Sequence, residues 1–335
     1  MILVTGGTGL VGSHLLFKLV SAREKVRAIY RNKQKLESVK NVFSTYTENY
    51  NSLFETIEWV KADILDIPSL TEAFKDISYV YHCAALVSFQ PHKYHELRKV
   101  NIEGTANIVN FCISNNIKKL CYVSSIATLG HTLNKEYITE ETDWNPEIDN
   151  NIYAITKYGA EMEVWRATQE GLDAVIVNPG VILGAGIWNE GSGSLFKKAH
   201  KGLKYYSKGT LGLVSVEDVV LVMIELLKSD IKNERFVLVA ENWTFKRFLQ
   251  ALAKSVNKTP PEKLASPWLL QILWKLDWLT YSLTGKPRKL TKQLSNSLSS
   301  ETYYSNEKIK SALNFEFESV DQTISRVGNL YLERV

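Results

Sequence analysis

A tyrosine and a lysine four residues apart could carry out proton transfer in this chain. Tyr153-Ala-Ile-Thr-Lys157 is predicted to begin a helix, capped by Asn150 or Asn151. Residues at i and i+4 share one helix face, so the ammonium of Lys157 can lie near the phenol of Tyr153. A nearby cation stabilises phenolate and lowers a tyrosine pKa that is otherwise ~10, as an acid or base near neutral pH requires. Taken alone, such a pair is more often an exposed surface pair.

Two hydroxyl groups stand where they could join this chemistry. Ser124 and Ser125 directly follow the apolar run at 120–123, which reads as a buried strand. If that strand belongs to a parallel sheet, its carboxyl end lies at the edge where such sheets bind ligands. The serines and the Tyr153–Lys157 pair together are much less expected by chance than either feature alone.

A glycine-rich turn near the start of the chain could hold a phosphate. The apolar run at 2–4 leads into Thr5-Gly6-Gly7-Thr8-Gly9-Leu10-Val11-Gly12. Gly7-x-Gly9-x-x-Gly12 fits the dinucleotide-binding fingerprint, and Gly6-x-x-Gly9-x-x-Gly12 is a second possible register. Helical spacing after the turn predicts a helix whose N-terminal amides and dipole can hold an anion. The plain alternative is a strand-to-helix turn without a ligand.

The elements that must position these residues form a repeating pattern. Short apolar runs at 2–4, 26–30, 57–60, 79–83, 120–123 and 174–177 alternate with helical stretches. One predicted helix covers 92–116, and Gly104 within it should mark a bend or the close approach of another element. This alternation predicts an α/β fold with a doubly wound, parallel Rossmann sheet and right-handed crossovers. We expect a nucleotide-binding Rossmann domain at 1–180 that carries the catalytic residues. Residues 181–335 should form a smaller, mostly helical substrate lobe, with some segments returning to the sheet.

The ends of the second and third strands bear on the cofactor. Sheets that bind NAD usually carry an acid at the second strand end for the ribose 2′-hydroxyl, but this strand ends Ile29-Tyr30-Arg31. Arg31, with Lys33 and Lys35 behind it, offers cations where a 2′-phosphate would lie, which favours NADP (NADPH) over NAD. A solvated basic turn is the alternative. Asp63 could accept a hydrogen bond from the adenine amino group while Ile64 covers the ring.

Composition limits the classes of function. The chain has 335 residues and a net charge of +4 without a basic face, so we expect no nucleic-acid partner. Cys83, Cys112 and Cys121 lack metal-site or disulfide spacing and indicate a reducing compartment. His82 and Cys83 would point to opposite faces of a strand, which disfavours metal ligation. No apolar run reaches the ~18–20 residues that span a bilayer, and we expect a cytoplasmic protein.

The second half carries fewer motifs. A glycine-rich segment at 184–193 precedes helices near 195–201 and from 216, a strand at 236–239, and a helix to 256 that Thr244 caps. The apolar stretch at 267–281 reads as a helix that packs on the sheet or lines the pocket. A more specific interpretation is that this helix forms an aromatic wall of the substrate pocket or a membrane-surface patch. The membrane is disfavoured because Lys275 alone on that helix could meet anionic headgroups.

Over nearly the whole chain these motifs resemble the extended branch of the short-chain dehydrogenase/reductase superfamily, the NAD-dependent epimerase/dehydratase family. The glycine turn is similar to its TGxxGxxG loop, 82–85 to its cofactor-side strand end, 100–105 to its VNxxGT motif, and 178–181 to its (R/N)PG turn beside the nicotinamide. The positions that the motifs and the resemblance assign to cofactor binding are Gly6, Thr8, Gly9, Leu10, Val11, Gly12, Arg31, Lys35, Asp63, Ile64, Ala84, Ala85, Tyr153, Lys157, Pro179 and Val181.

The resemblance also implies catalytic roles. Ser125, rather than Ser124, matches the family's catalytic hydroxyl, and Tyr153 and Lys157 match its tyrosine and lysine. Nucleotide-sugar dehydratases carry Asp-Glu just after that hydroxyl, where this chain has Ile126-Ala127. Arg31 and the tail segments 283–287 and 304–308 look most like dihydroflavonol-reductase-type enzymes, which reduce ketones or aldehydes with NADPH. The resemblance further implies a homodimer through helices near 93–115 and 152–170.

These observations predict an NADP-dependent oxidoreductase that interconverts a ketone or aldehyde with an alcohol. The nicotinamide would deliver hydride to the carbonyl carbon of a small-molecule substrate. Tyr153 would give its proton to the carbonyl oxygen, and Ser125 would donate a hydrogen bond to the same oxygen. Lys157 would lower the tyrosine pKa and hold the nicotinamide ribose. A sugar-nucleotide epimerase with the same triad and a tightly bound NAD is the enzymatic alternative. A nucleotide-sensing binding protein without catalysis is the alternative from another class.

Overall fold

The computed structural model describes residues 1–132, 136–284 and 292–335. Its strands are β1 (Ile2–Thr5), β2 (Val26–Tyr30), β3 (Glu58–Lys61), β4 (Tyr79–His82), β5 (Lys119–Val123), β6 (Ala174–Pro179), β7 (Val181–Leu183), β8 (Tyr205–Tyr206), β9 (Thr210–Ser215), β10 (Glu234–Leu238), β11 (Glu241–Thr244) and β12 (Lys263–Leu264). The six strands expected in the first half are therefore present with bounds that shift by one or two residues.

The described α-helices are α1 (Leu10–Ser21), α2 (Leu36–Phe43), α3 (Tyr50–Glu55), α4 (Ile67–Ala73), α5 (Tyr94–Leu97), α6 (Gly104–Ser114), α7 (Ile152–Gln169), α8 (Gly193–His200), α9 (Val216–Lys228), α10 (Phe245–Ser255), α11 (Pro267–Thr284), α12 (Lys292–Ser297), α13 (Glu307–Leu313) and α14 (Val320–Leu332). Short 3₁₀ turns cover Lys33–Lys35, Pro91–Lys93 and Ile126–Thr128, and a π-helical segment covers Arg98–Glu103.

The central sheet confirms the predicted doubly wound α/β fold. It has seven strands in the order β10-β6-β5-β4-β1-β2-β3, and all neighbouring pairs are parallel. The strand order reverses direction between β1 and β4, where Thr5 lies opposite His82. Open parallel sheets bind ligands in the crevice outside the carboxyl ends of the strands at such a switch point. The glycine turn after β1 and residues 83–85 after β4 border this crevice.

Apolar side chains cover both faces of the sheet, which explains the uninterrupted apolar runs in its strands. On one face, α1 and α9 pack through residues such as Leu16 and Val220 against Val4 of β1. On the other face, α6 and α7 pack through residues such as Ile108 and Val164. Burial on both faces fixes where each strand ends, and so which residues reach the carboxyl edge.

The second half follows two paths. β10 pairs with β6 and so returns to the central sheet. β7, β9 and β11 form a separate three-stranded sheet, which packs with α8, α10 and α14 around Phe196, Trp243 and Phe248. The predicted cap of α10 is confirmed, because the Thr244 side chain accepts a hydrogen bond from Arg247 N at 3.2 Å.

The predicted helix at 92–116 is interrupted rather than continuous. It consists of a 3₁₀ turn, α5, the π-helical segment and α6, and a single apolar period does not reveal such a change of winding. Gly104 begins α6, where a Cβ atom would lie 2.5 Å from Ile64 Cδ1. The close approach expected at Gly104 is therefore present, and it joins α6 to the segment after β3.

The apolar helix α11 contacts α12 and the turn at Pro91–Lys93. Gln271 Nε2 lies 3.0 Å from Asn296 Oδ1, and His92 stacks on Tyr281. Trp268 and Leu276 on its outer face are more than half exposed. Among the described residues no helix has the length and apolarity to cross a membrane. The Gly285-Lys286-Pro287 part of the tail motif lies outside the described residues.

Candidate active site

The glycine turn adopts one of the two registers that its sequence allows. Gly6 has φ +69°, a left-handed conformation that glycine adopts without strain, and a Cβ there would lie 2.5 Å from Ala84 N. Gly9 N donates a hydrogen bond to Gly6 O at 2.9 Å, and a Cβ on Gly12 would overlap the same oxygen. The backbone of the turn thus requires glycine at Gly6 and Gly12, whereas a Cβ on Gly9 would only touch Gly6 O at 3.4 Å.

A cavity of about 530 Å³ opens beside this turn. The predicted cofactor residues that line it are Gly6, Thr8, Gly9, Arg31, Lys35, Asp63, Ile64, Ala84 and Ala85. Residues that sequence reasoning did not select also line it, namely Ile29, Tyr30, Asn32, Ala62, Cys83, Val100 and Glu190. Leu10, Val11, Gly12, Tyr153, Lys157, Pro179 and Val181 are not among the lining residues.

Two ion pairs lie at the second-strand end of the cavity. The guanidinium of Arg31 is 3.7 Å from Asp63 Oδ2, while Asp63 Oδ1 accepts a hydrogen bond from Leu65 N at 3.0 Å. Lys35 Nζ contacts both carboxylate oxygens of Glu190, at 3.1 and 3.2 Å. Glu190 belongs to the glycine-rich segment after β7, so this segment reaches over to the second strand end. Glu190 is 155 residues from Lys35 in the sequence, so no local sequence pattern could predict this contact.

The cavity fits the adenosine diphosphate half of a dinucleotide. The backbone at Gly6 and Gly9 is bare of side chains beside the first turn of α1, whose free N–H groups suit a pyrophosphate. Asp63 and Ile64 line the cavity with a carboxylate and an apolar side chain, and Arg31 and Lys35 present cations at the same end. The donors and the space therefore suit NAD(P).

Lys157 is buried beneath the carboxyl end of β5. Its Nζ donates hydrogen bonds to Tyr122 Oη at 2.6 Å and to Val123 O at 2.8 Å. Burial lowers the pKa of Lys157 to about 7, while the negative charge of Glu161 acts in the opposite direction. The ammonium is therefore held in a fixed place inside the protein and close to its titration point at neutral pH.

Ser125 and Tyr153 meet at the mouth of this region. Burial raises the pKa of Tyr153 above its usual value, and a hydrogen bond from the Ser125 side chain opposes this rise in part. Ser124 Oγ instead donates to Glu161 Oε2 at 2.5 Å. The structure thus separates the two serines, and places Ser125 beside the tyrosine.

The hydrogen bonds of Lys157 go to β5 rather than to Tyr153. Lys157 Nζ is directed to Tyr122 and Val123, and the hydrogen bond that favours the phenolate of Tyr153 comes from Ser125. The reason is that the Tyr122 phenol packs beside the ammonium, 4.4 Å from ring centre to Nζ. Tyr122 follows an ordinary strand pattern, so its sequence carried no signal for this contact.

Polar side chains fix the start of α7 and the loop that faces it. Asn151 Oδ1 accepts from Ala154 N at 2.9 Å, so Asn151 rather than Asn150 is the cap. Asn101, which lies in the VNxxGT-like segment, accepts from Leu86 N at 2.7 Å and donates to Thr156 Oγ1 at 3.2 Å. The loop after β4 is therefore tied to the helix that carries Tyr153 and Lys157.

His82 is a structural residue in the core of the site. Its Nδ1 lies 2.6 Å from Thr5 Oγ1 and its Nε2 lies 3.0 Å from Thr105 Oγ1. Burial, with a smaller contribution from Lys157, lowers its pKa to about 3, so the imidazole is neutral. Burial likewise raises the pKa of Cys83 to about 12. Within the described ranges no group of three or more His, Cys, Asp or Glu residues is arranged to hold a metal.

Pro179 and Val181 lie at the carboxyl end of β6 and in β7, away from the cavity. Gly180 between them donates to Leu238 O at 3.0 Å, and a Cβ there would lie 2.5 Å from Gly212 O. The (R/N)PG-like turn therefore packs closely between β10 and β9.

The chain is similar to several known proteins. The chain is 27% identical over 273 residues to sterol demethylase protein B of Methylococcus capsulatus, covering 80% of this chain and 78% of that protein. It is 26% identical over 331 residues, covering 96% and 92%, to a Synechocystis sp. protein provisionally named a dihydroflavonol 4-reductase. The crystal structure of gox2253 shares the fold, with a TM-score of 0.81, 22% identity and coverage of 100% and 98%.

The family follows from a match that spans most of the Rossmann portion. Residues 2–238 match the NAD dependent epimerase/dehydratase family, and this range contains the glycine turn, Ser125, Tyr153 and Lys157. The protein is accordingly an NAD(P)-dependent enzyme of the extended short-chain dehydrogenase/reductase type, and it belongs to the NAD dependent epimerase/dehydratase family.

Proposed function

We propose that this protein is an NADP(H)-dependent oxidoreductase that interconverts a ketone or aldehyde with an alcohol. The observation that carries the proposal is the convergence of Ser125 and Tyr153 above the buried Lys157, at the carboxyl edge of the sheet that also bears the cavity. The bound nicotinamide would supply or accept the hydride. Every proton and hydrogen bond that the reaction needs can come from these side chains.

The residues divide the chemistry of a carbonyl oxygen between them. Tyr153 donates its proton to the oxygen as charge develops there, and Ser125 donates a hydrogen bond to the same oxygen. Lys157 provides a fixed positive charge, held by Tyr122 and Val123, which favours the phenolate left on Tyr153 after transfer. Each contribution is in place before the substrate arrives.

The cations at the second strand end support NADP over NAD. Arg31 and Lys35 both line the cavity, and Arg31 stands where NAD-binding sheets usually carry an acid. A guanidinium can hold a phosphate with two parallel hydrogen bonds. Their present carboxylate partners, Asp63 and Glu190, would exchange for the phosphate when the cofactor binds.

An apolar surface beside Tyr153 favours an apolar or aromatic substrate. The ring of Phe89 lies 5.5 Å from the ring of Tyr153, edge to face, and both Phe89 and its neighbour Val87 are exposed. Asn101 holds the loop that presents them. A flat carbonyl compound could pack on Phe89 with its oxygen toward Tyr153, whereas a nucleotide sugar would find few polar partners on this loop.

The test is NADPH oxidation against a panel of aromatic aldehydes, flavonoid-like ketones and steroid ketones. We expect turnover by the wild type and a loss of ~10²–10⁴-fold in kcat for Tyr153→Phe with unchanged NADPH affinity. Tyr158→Phe is the matched control, because Tyr158 lies on the same helix but stacks on Trp144. Wild-type turnover in Tyr153→Phe would contradict the proposal. Stoichiometric, tightly bound NAD with no use of NADPH would identify an epimerase, and tight NADPH binding without any turnover would identify a sensor.

The expected assembly and location also remain proposals. A homodimer through the helices near 93–115 and 152–170 predicts a mass near twice that of the chain in sedimentation equilibrium. A cytoplasmic location predicts that the three cysteines stay reduced in the cell, in line with the free thiols of Cys83, Cys112 and Cys121.

A further inference from the structure

A buried carboxylate lies directly behind the turn that carries Ser125. Glu161 stands one helical turn after Lys157 on α7 and has no exposed surface. Its Oε2 lies within hydrogen-bond distance of three donors: Ser124 Oγ at 2.5 Å, Thr128 Oγ1 at 2.8 Å and Asn178 Nδ2 at 2.9 Å. A buried carboxylate is tolerated where a counter-ion balances its charge and hydrogen-bond donors contact both of its oxygens. The three donors at Oε2 provide the hydrogen bonds for one of these oxygens.

The other carboxylate oxygen faces a counter-ion from the second half of the chain. Arg235 of β10 forms an ion pair with Glu161 Oε1 at 3.0 Å, and Trp165 Nε1 donates to the same oxygen at 3.3 Å. Arg235 itself is anchored by Glu140 O, which accepts from its Nε at 2.9 Å. The charge of Glu161 is thus balanced on the side away from Ser125.

The donors around Glu161 also hold the backbone of Ser125. Thr128 Oγ1 lies 2.9 Å from Ser125 O, so its single proton is shared between this oxygen and Glu161 Oε2. Asn178 Nδ2, which has two N–H groups, lies 3.2 Å from Ser125 O. The end of β5, the turn after it and β6 therefore meet at Glu161. A shift of this carboxylate would move the turn, and with it the serine hydroxyl beside Tyr153.

We propose that Glu161 is a positioning residue for the oxidoreductase chemistry, which fixes the turn that presents Ser125 and supplies a negative charge that favours the ammonium form of Lys157. The inference rests on the proposed function for its catalytic meaning. The arrangement of charges around Lys157 can be measured without turnover.

The groups that face Lys157 make Glu161 the decisive charge. They are Glu161 from α7, His82 and Cys83 from the end of β4, and Tyr122 from β5. Burial keeps His82 neutral and raises the pKa of both Cys83 and Tyr122, so these groups add no negative charge near neutral pH. The carboxylate of Glu161 opposes the desolvation that lowers the pKa of Lys157 to about 7.

The experiment compares Glu161→Gln with Glu163→Gln, a change of the same type two residues along the helix, where the carboxylate pairs with Arg166 instead. The pKa of Lys157 is measured by NMR in protein labelled with ¹³Cε-lysine, with its signal assigned from Lys157→Met. We expect Glu161→Gln to lower this pKa by ~1 unit or more from about 7. The alkaline limb of kcat should move to lower pH by the same amount, with NADPH affinity unchanged, and Glu163→Gln should change neither.

Arg235→Gln gives a second and opposite test. It leaves the charge of Glu161 without its partner, so the pKa of Lys157 should rise rather than fall. If the role of Glu161 is only structural, Glu161→Gln should lower kcat at all pH values without moving the alkaline limb. An unchanged Lys157 pKa in Glu161→Gln, or in Arg235→Gln if the first variant does not fold, would overturn the inference. If the wild type reduces no carbonyl, the proposed function fails, while the Lys157 titration still decides this inference.

Discussion

The two ends of the proposed cofactor site hold their positive charges in opposite ways. At the adenosine end, the side chains of Arg31 and Lys35 are 61% and 50% exposed, and each faces one carboxylate. At the catalytic end, Lys157 is 1% exposed and its ammonium is held by a buried phenol and a backbone carbonyl.

This difference predicts how strongly single substitutions at the two ends should affect cofactor affinity and the reaction rate. Water and salt screen exposed charges, so an exposed ion pair contributes ~0–1 kcal/mol and its partner is easily exchanged. A buried charge acts on its neighbours in a medium of lower effective dielectric constant, so its effect on their protonation is large. We therefore expect graded effects on cofactor affinity at the adenosine end, and large effects on the reaction at the catalytic end.

The largest expected effect comes from Lys157→Met. We expect kcat to fall by ~10²–10⁴-fold, because the fixed charge near the proton donor is lost. The pKa of Lys157 is about 7 in the folded state and ~10.4 in the unfolded chain, so the unfolded state binds more protons between these values and wild-type stability should rise with pH across them. Urea unfolding at about pH 7 and about pH 10 should show this rise in the wild type and a smaller rise in the variant. Equal rises would contradict the buried charge.

His82 should produce the next effect, on stability in acid. Its pKa is about 3 in the folded protein and ~6.5 unfolded, so the stability that the neutral imidazole provides is complete above ~6.5 and is lost as the pH falls toward 3. The expected loss approaches ~1.4 kcal/mol per pH unit within that interval. His82→Gln should give a shallower dependence in urea unfolding, and His95→Gln, at an exposed position, should not. The same slope in all three proteins would contradict the prediction.

Arg31→Gln should reduce cofactor affinity rather than rate. We expect the Kd for NADPH to rise ~10-fold, equivalent to about 1.4 kcal/mol, and the Kd for NADH to change little. Lys33→Gln is the control, because Lys33 neighbours the cavity in sequence but does not line it. Fluorescence titration of the two cofactors measures the ratio. Parallel weakening of both cofactors would show that Arg31 does not recognise a 2′-phosphate.

The smallest effect is expected from the exposed ion pair across the cavity. Glu190→Gln frees Lys35 for an anionic ligand, so NADPH should bind slightly more tightly, by less than ~3-fold at physiological salt, and the gain should shrink as salt increases. Lys35→Gln should change affinity in the opposite direction. Weaker NADPH binding in Glu190→Gln would show that this carboxylate contacts the cofactor directly.

Local patterns were enough to predict much of the fold and several residues of the site. The apolar runs located the six strands of the first half, because strands covered by helices on both faces must be apolar throughout. The glycine turn, Arg31 and Asp63 follow strands directly, so the carboxyl edge that they share could be predicted from order alone. The break in the helix at 92–116 escaped prediction, since π-helical winding leaves no distinct apolar period.

The sequence by itself determined the parallel sheet, the glycine turn between β1 and α1, and the Tyr153–Lys157 helix, because each depends on residues within a few positions of one another. The tertiary structure alone decided which glycine register the turn uses, which serine faces Tyr153, and that Tyr122 holds Lys157. It also brought Glu190 to Lys35 and Arg235 to Glu161. These contacts join distant segments, and their geometry depends on how the whole sheet and its covering helices pack, which no local period records.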